Sequence, residues 1–266
     1  MTALDRAIHV LMRRASEEAI LPRYRRLASH EVEHKAADDV VTVADRSAET
    51  LLGEGLAALE PALAIVGEEA AHTDPALLEA LSGDCWIVDP LDGTNNFAAG
   101  RPPFGILIAR AEGGLAQSGW LYDCLTRRFC AAHRGGGAFI DAERVAARST
   151  GAQPPVAAIS TVFMDAAQRE AVKANIAPHY TLVDIPRCAA EQYPRLALGT
   201  NDVSLFERTL AWDHAAGVLW LEEAGGKAAR PDGSPYRVDE PERTGLIGAA
   251  SAALWDAMAA RLEKMA

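Results

Sequence analysis

Two short apolar runs, ALAIVGEEA and CWIVDP, lie about twenty residues apart and each ends abruptly in acid. Runs of this length bounded by polar residues read as buried strands, so the acids emerge at the carboxyl ends of neighbouring elements. Glu68 and Asp89 are therefore expected side by side. The second run continues as WIVDPLDGTNNF, with Asp89 and Asp92 three residues apart around Pro90 and Leu91. A proline in that position prevents a helix from running through the pair, and the segment reads as a turn.

The surrounding pattern is mixed. Leu4, Ile8, Leu11, Ala15, Ala19 and Ile20 recur at helical spacing from residue 3 to 28, closing near Pro22 or continuing a turn beyond it. HEVEHKAADD reads as a polar hinge. Asp45 sits at the start of a helix carrying Ala48, Leu51, Leu52 and Leu56. From Phe104 to Val145 four apolar runs separated by EGG, CLT and RGGG read as an antiparallel meander;. After STGAQPP, strands and helices alternate, through WDHAAGVLWLEEAGG to a final strand and an amphipathic tail;. The class is α/β (α+β), with an N-terminal half at 1–147 and a C-terminal half at 148–266 that supplies Asp213.

Charge and cysteine usage narrow the function. A net charge of -11 without a basic stripe argues against nucleic acid as a partner;. Cys85, Cys124, Cys130 and Cys188 have no CxxC or finger-like spacing, so neither zinc nor a disulfide framework is expected;. Charges interrupt the apolar periodicity of the first twenty residues, which removes a secretion signal and a spanning helix;. A soluble cytoplasmic protein with no membrane partner is the expectation.

The chemistry lies in the acids at element ends: Glu68, Asp89, Asp92 and Asp213. Two carboxylates about 4 Å apart repel by roughly 4 kcal/mol at an effective dielectric near 20, so a converging set needs protons or cations. All-oxygen ligation without His or Cys favours Mg2+ or Mn2+, and the Leu91 carbonyl would add an oxygen. Gly93, Thr94, Asn95 and Asn96 follow at what reads as the opening of a helical turn, where unpaired amides suit a phosphate. Together these parts describe metal-assisted hydrolysis of a phosphomonoester, with Glu68 and Thr94 orienting the attacking water.

Taken singly, Asp45, Asp92 and Asp213 are as well explained by capping. Only the ordered conjunction of GEE, DPLDGT, WDHAAG and EAGG separates the two accounts. Other residues carry less. Gly135 to Gly137 read as a hairpin turn, His214 as a local packing group, and Cys188 as a buried thiol. Trp212 and Trp220 read as a core-facing stripe.

IVGEE, WIVDPLDGTNNF and WDHAAGVLWLEEAGG, preceded by DDVVTVADRSAE, resemble the signature segments of the inositol monophosphatase family of Mg2+-dependent, lithium-sensitive phosphatases. The resemblance implies a layered αβαβα sandwich of the sugar-phosphatase type and a homodimer. It implies two or three Mg2+ ions, with Mn2+ a possible substitute. Glu68, Asp89 and the Leu91 carbonyl would hold one, Asp89, Asp92 and Asp213 a second, and Glu68 with waters a third. Gly93 and Thr94 would contact phosphate, the Thr94 hydroxyl pairing with Asp45 to activate water. Lys35 aligns with a lysine in a mobile flap of the family.

The implied substrate is a small phosphorylated polyol or sugar, with Asp92 and Asp213 among its contacts. Phe206 stands where inositol-processing members tend to carry Glu, leaving Glu207 or Arg208 as candidate substrate contacts, Arg208 for a second phosphate. Histidinol phosphate, fructose 1,6-bisphosphate and 3'-phosphoadenosine 5'-phosphate are alternatives. A regulatory or scaffold protein that retains the family fold is the non-enzyme alternative.

Overall fold

The computed structural model describes residues 1–28, 31–36 and 39–264. Helix α1 (Ala3–Ala15) begins at a capping box between Thr2 and Asp5, which satisfies two of the amides a helix start leaves unpaired. The chain passes Pro22 in short π and 3-10 turns. It then forms a two-stranded ribbon, β1 (Val32–Ala36) and β2 (Asp39–Thr42), where the sequence reads as a hinge. A ribbon this polar lacks the apolar alternation that would mark it as strand. Helix α2 (Val43–Leu59) follows, with Asp45 at its third position closing a capping box with Thr42.

Seven strands form the first sheet: β3 (Ala64–Gly67), β4 (Cys85–Asp92), β5 (Gly105–Glu112), β6 (Leu115–Asp123), β7 (Phe129–His133), β8 (Gly137–Ile140) and β9 (Glu143–Val145). They lie in sequence order, β3 and β4 parallel and the rest an antiparallel meander. Two short helices interrupt the order, α3 (Glu68–Thr73) and α4 (Thr94–Ala98). The glycine run turns the chain between β7 and β8, and Glu223 accepts from the Gly135 and Gly137 amides at 2.7 Å each.

The second sheet is built from β10 (Val156–Ile159), β11 (Thr181–Leu182), β12 (Val203–Phe206), β13 (Lys227–Ala229) and β14 (Leu246–Ala249), in the order β11-β10-β12-β14-β13. Its helices are α5 (Ala166–Asn175), α6 (Ala189–Ala197), α7 (Ala211–Glu223) and α8 (Ala252–Glu263).

Strand alternation sorts the core into layers. Trp86, Val88, Ile106 and Trp120 pack against α1 and α2. Ile87, Leu107 and Leu121 point the other way, onto α6 and α7, whose far side meets Ala228 and Leu246 of the second sheet. Val203, Leu205 and Ile247 then pack on α5 and α8. The result is the expected αβαβα sandwich, with α6 and α7 sealed between the sheets. Each wholly buried large side chain contributes roughly 1.5–3 kcal/mol. Close approach fixes α7: a Cβ on Gly119 of β6 would stand 2.8 Å from the Ala216 Cα. Any larger residue there would push α7, and Asp213 with it, off the sheet. Among the described residues no helix is long and apolar enough to cross a membrane.

One buried polar group joins α1 to the sheet. Asp5 is 3% exposed; its Oδ1 accepts from Trp120 Nε1 at 2.9 Å and lies 2.8 Å from His133 Nε2, and Oδ2 accepts from Thr2 N at 2.6 Å. Burial alone would raise its pKa, but the hydrogen bonds from His133, Trp120 and Thr2 outweigh it and hold the carboxyl well below the ordinary range. Such a group stabilises the fold above its unfolded pKa and ceases to do so in acid. Asp5→Ala is expected to cost about 1–3 kcal/mol at neutral pH, since it leaves buried donors unpaired. Urea melts should show that deficit shrinking only as pH falls below the ordinary value of 3.8.

Candidate functional site

The parallel register pairs Gly67 with Val88, so the next residues, Glu68 at the start of α3 and Asp89 within β4, stand beside one another. Asp89 and Asp92 reach one side by a different device. In a regular strand, residues an odd number apart face opposite ways. Between Asp89, opposite Leu107, and Asp92, opposite Gly105, β4 carries one extra residue. That β-bulge restores both carboxylates to the same side. The segment is thus a bulged strand rather than the turn read from sequence. Pro90 is tolerated because the ladder is already interrupted there.

Gly93 then reverses the chain at φ 84°, and a Cβ there would lie 3.0 Å from the Pro103 carbonyl oxygen and 3.2 Å from Cys188 Cβ. Both the left-handed backbone and the crowding demand glycine. In α4 the Asn96 and Phe97 amides donate back to Gly93 O at 2.8 and 3.0 Å. The Gly93 and Thr94 N–H groups precede that pattern and lie outside it. Asp213 enters from α7, whose first turn favours a carboxylate through its dipole;.

These residues share one cavity: Glu68, Asp89, Leu91 and Asp92 on one side, with Gly93, Thr94, Asp213 and Arg208 around them. Asp45 stands behind the cavity, its Oδ1 accepting from the Thr94 hydroxyl at 3.0 Å. Thr94 Oγ1 also lies 2.8 Å from the Leu91 carbonyl. Burial pushes Asp45 up to about 6, opposed by the Thr42 hydroxyl and amide that donate to its other oxygen. Asp89 is raised well above its ordinary value, first by burial and then by the charges of Glu68, Asp92, Asp213 and Asp45.

Each carboxylate has a local partner. Asp89 Oδ1 accepts from Leu91 N at 3.0 Å. Asp92 Oδ2 accepts from Ala190 N at 2.6 Å and from the Cys188 thiol at 3.0 Å. Asp213 lies 3.9 Å from Arg208 Nη2. Among the described residues, no three acidic, His or Cys side chains already enclose a single ion position. The donor set is nonetheless hard and all-oxygen, which suits Mg2+ or Mn2+ and gives zinc no soft ligand.

Two expectations are corrected or fall outside. Glu207 does not line the cavity; its Oε1 accepts from Gln168 Nε2 at 3.1 Å. Phe206 takes the cavity side, and the next residue of an extended segment faces away;. The side chain of Lys35 lies outside the described residues.

Cys188 and Asn96 take on contacts that were not read from sequence. Cys188 caps α6 and holds Asp92 across 96 residues. Asn96 Nδ2 donates to the Pro103 and Pro186 carbonyls at 2.9 and 2.8 Å, tying two loops over the site. His214 is buried, its Nδ1 2.7 Å from the Tyr193 hydroxyl and its Nε2 3.2 Å from Arg208 O, and burial keeps it neutral at about 3. It packs, as expected, and is no proton donor at neutral pH.

Residues 3–265 match the sequence model of the inositol monophosphatase family. An inositol-1-monophosphatase of Rhizobium meliloti is 32% identical over 218 residues, 76% of each chain. That of Caulobacter vibrioides is 34% identical over 215 residues, 78% of this chain and 82% of its own. Among solved structures, extragenic suppressor protein suhB from Bartonella henselae superposes with TM-score 0.84 at 24% identity over 99% of both chains. An IMPase from Thermotoga maritima gives 0.80 at 23% over the whole of both. At such identities the structural likeness speaks for the fold.

Proposed function

The chain belongs to the inositol monophosphatase family and is a phosphatase of that family, and on that premise we propose that it hydrolyses the phosphomonoester of a small alcohol in a Mg2+-dependent reaction. The family's polyol and sugar phosphates are the first candidates. The observation that carries the reading is the meeting of Glu68, Asp89, Asp92 and Asp213 on one cavity beside the Thr94–Asp45 pair.

In this reading Glu68, Asp89 and the Leu91 carbonyl would hold one Mg2+, Asp89, Asp92 and Asp213 would hold a second, and Glu68 would contribute to a third; Mn2+ could replace them. When bound, the cations would neutralise the phosphoryl oxygens and make water acidic enough to attack at neutral pH. The chain's own groups do the positioning. The Gly93 and Thr94 amides receive phosphate oxygens. The Thr94 hydroxyl, giving its proton to Asp45, keeps a lone pair for an incoming water, and Glu68 offers a second acceptor. Both orient the water in line with the ester. Homodimerisation and lithium inhibition belong to the same reading and rest on the family resemblance, and a cytosolic setting rests on the cysteine usage and the charged first residues.

The test is phosphate release from a panel of small phosphate esters after EDTA treatment. Turnover should be absent in EDTA and return with Mg2+ or Mn2+. Failure to release phosphate from any ester at saturating Mg2+ would leave the scaffold alternative standing.

A further inference from the structure

We propose that the apolar wall of the cavity receives an alcohol with an apolar ring face and disfavours a ring of hydroxyls. This rests on the phosphatase reading and narrows its substrate class. The wall there is Val162, Phe163, Ile185 and Phe206. Phe206 is held from behind: its ring stacks on Tyr193 at 5.8 Å and meets the edge of His214 at 4.8 Å. Tyr193 and His214 are themselves buried, so Phe206 presents a fixed aromatic surface. Phe163 is 42% exposed, with the Arg208 guanidinium 4.0 Å over one face.

The polar groups at this end are ill-suited to a polyol. A hydroxyl needs an acceptor for its proton, and guanidinium groups such as Arg187 and Arg208 only donate. The carboxylate next to Phe206 in the chain, Glu207, is turned outward onto Gln168, and Asp213 faces the Arg208 guanidinium at 3.9 Å. Gln192 donates from its amide nitrogen to Ser204 Oγ at 2.7 Å and Asn201 Oδ1 at 3.3 Å, so its side chain offers one acceptor, the buried Oε1. Ser160 supplies one hydroxyl. A cyclitol seated here would set several O–H groups against carbon, whereas a plain ring would bury its surface on Phe206 and Phe163.

Cyclohexyl phosphate and myo-inositol 1-phosphate isolate the effect, since both are esters of a secondary ring alcohol and differ in the hydroxyls. A site that pairs hydroxyls rejects the analogue lacking them by roughly 10⁴-fold, while an apolar pocket penalises an added hydroxyl by only about 10²-fold. The wild-type kcat/KM should therefore favour cyclohexyl phosphate by about tenfold or more. Affinity should follow the same order when both esters are titrated, in Mg2+, into Thr94→Ala and binding is read on a timescale short against its residual turnover. Phe206→Glu should shift the ratio toward the inositol ester by a similar factor. The wild-type ratio decides even if that variant does not fold. A ratio below tenfold, or reversed, with phosphate still released overturns the apolar wall and leaves the phosphatase reading intact. If neither ester is hydrolysed but the affinity order holds, the wall stands and the phosphatase reading falls.

Discussion

Asp89→Asn is expected to melt at a higher temperature than the wild type in EDTA and to release no phosphate in Mg2+. Asp89 is 2% exposed, and its pKa is raised by burial and by four neighbouring acids. A carboxyl whose folded pKa lies above its unfolded value destabilises the fold increasingly as pH rises from the unfolded value upward. Asparagine removes the charge and keeps an oxygen for the Leu91 amide. Relief of a buried like-charge contact is worth on the order of 1–4 kcal/mol, and each kcal/mol moves the melting point of a chain of this size by about 2–4 °C. In Mg2+ the order reverses. Wild type gains about 2.7 kcal/mol at a hundredfold excess over Kd, while the variant, having lost a shared ligand, gains far less. Thermal melts with and without Mg2+ check both signs. A variant less stable than wild type in EDTA, or one still active, contradicts the account.

Thr94→Ala should lower kcat by about 10²–10⁴-fold, the range of a positioned proton acceptor, and leave the fold intact. Thr94→Ser should recover most of the rate, because serine restores the hydroxyl that pairs with Asp45 at 3.0 Å. Alanine retains the backbone amide, so KM should change much less than kcat. Asp45 adds a pH signature. It is held near 6 by burial, against hydrogen bonds from Thr42. Once protonated it is a much weaker acceptor for the Thr94 hydroxyl, and cations among the neighbouring acids would draw that titration lower. The wild-type rate should therefore fall on the acid side at or below about 6. Asp45→Asn should be slow throughout and lack that limb. An unchanged limb in Asp45→Asn, or full activity in Thr94→Ala, would remove the pair from the mechanism.

Much of this was legible because it is local. Apolar runs ending in acid identified β3 and β4 and set Glu68 beside Asp89. The WDHAAG helix start located Asp213, and glycine-punctuated runs gave the meander. What escaped depends on partners distant in the chain or on elements too short to show a period. The bulge at Pro90 is a property of β4 against β5, so the sequence reads as a turn. The ribbon β1–β2 and the three-residue β9 and β13 have no usable alternation. Cys188 reads as an inert buried thiol and gains its role only where α6 meets Asp92. Phe206 and Glu207 are adjacent, and only the path of β12 decides which of them faces the cavity.

The central claim is that the four acids serve shared divalent cations. Crystals soaked in Mn2+ test it through anomalous scattering. One peak is predicted among Glu68, Asp89 and the Leu91 carbonyl, and a second among Asp89, Asp92 and Asp213. Manganese bound elsewhere on the chain, with no peak in this cavity at saturating concentration, would contradict it.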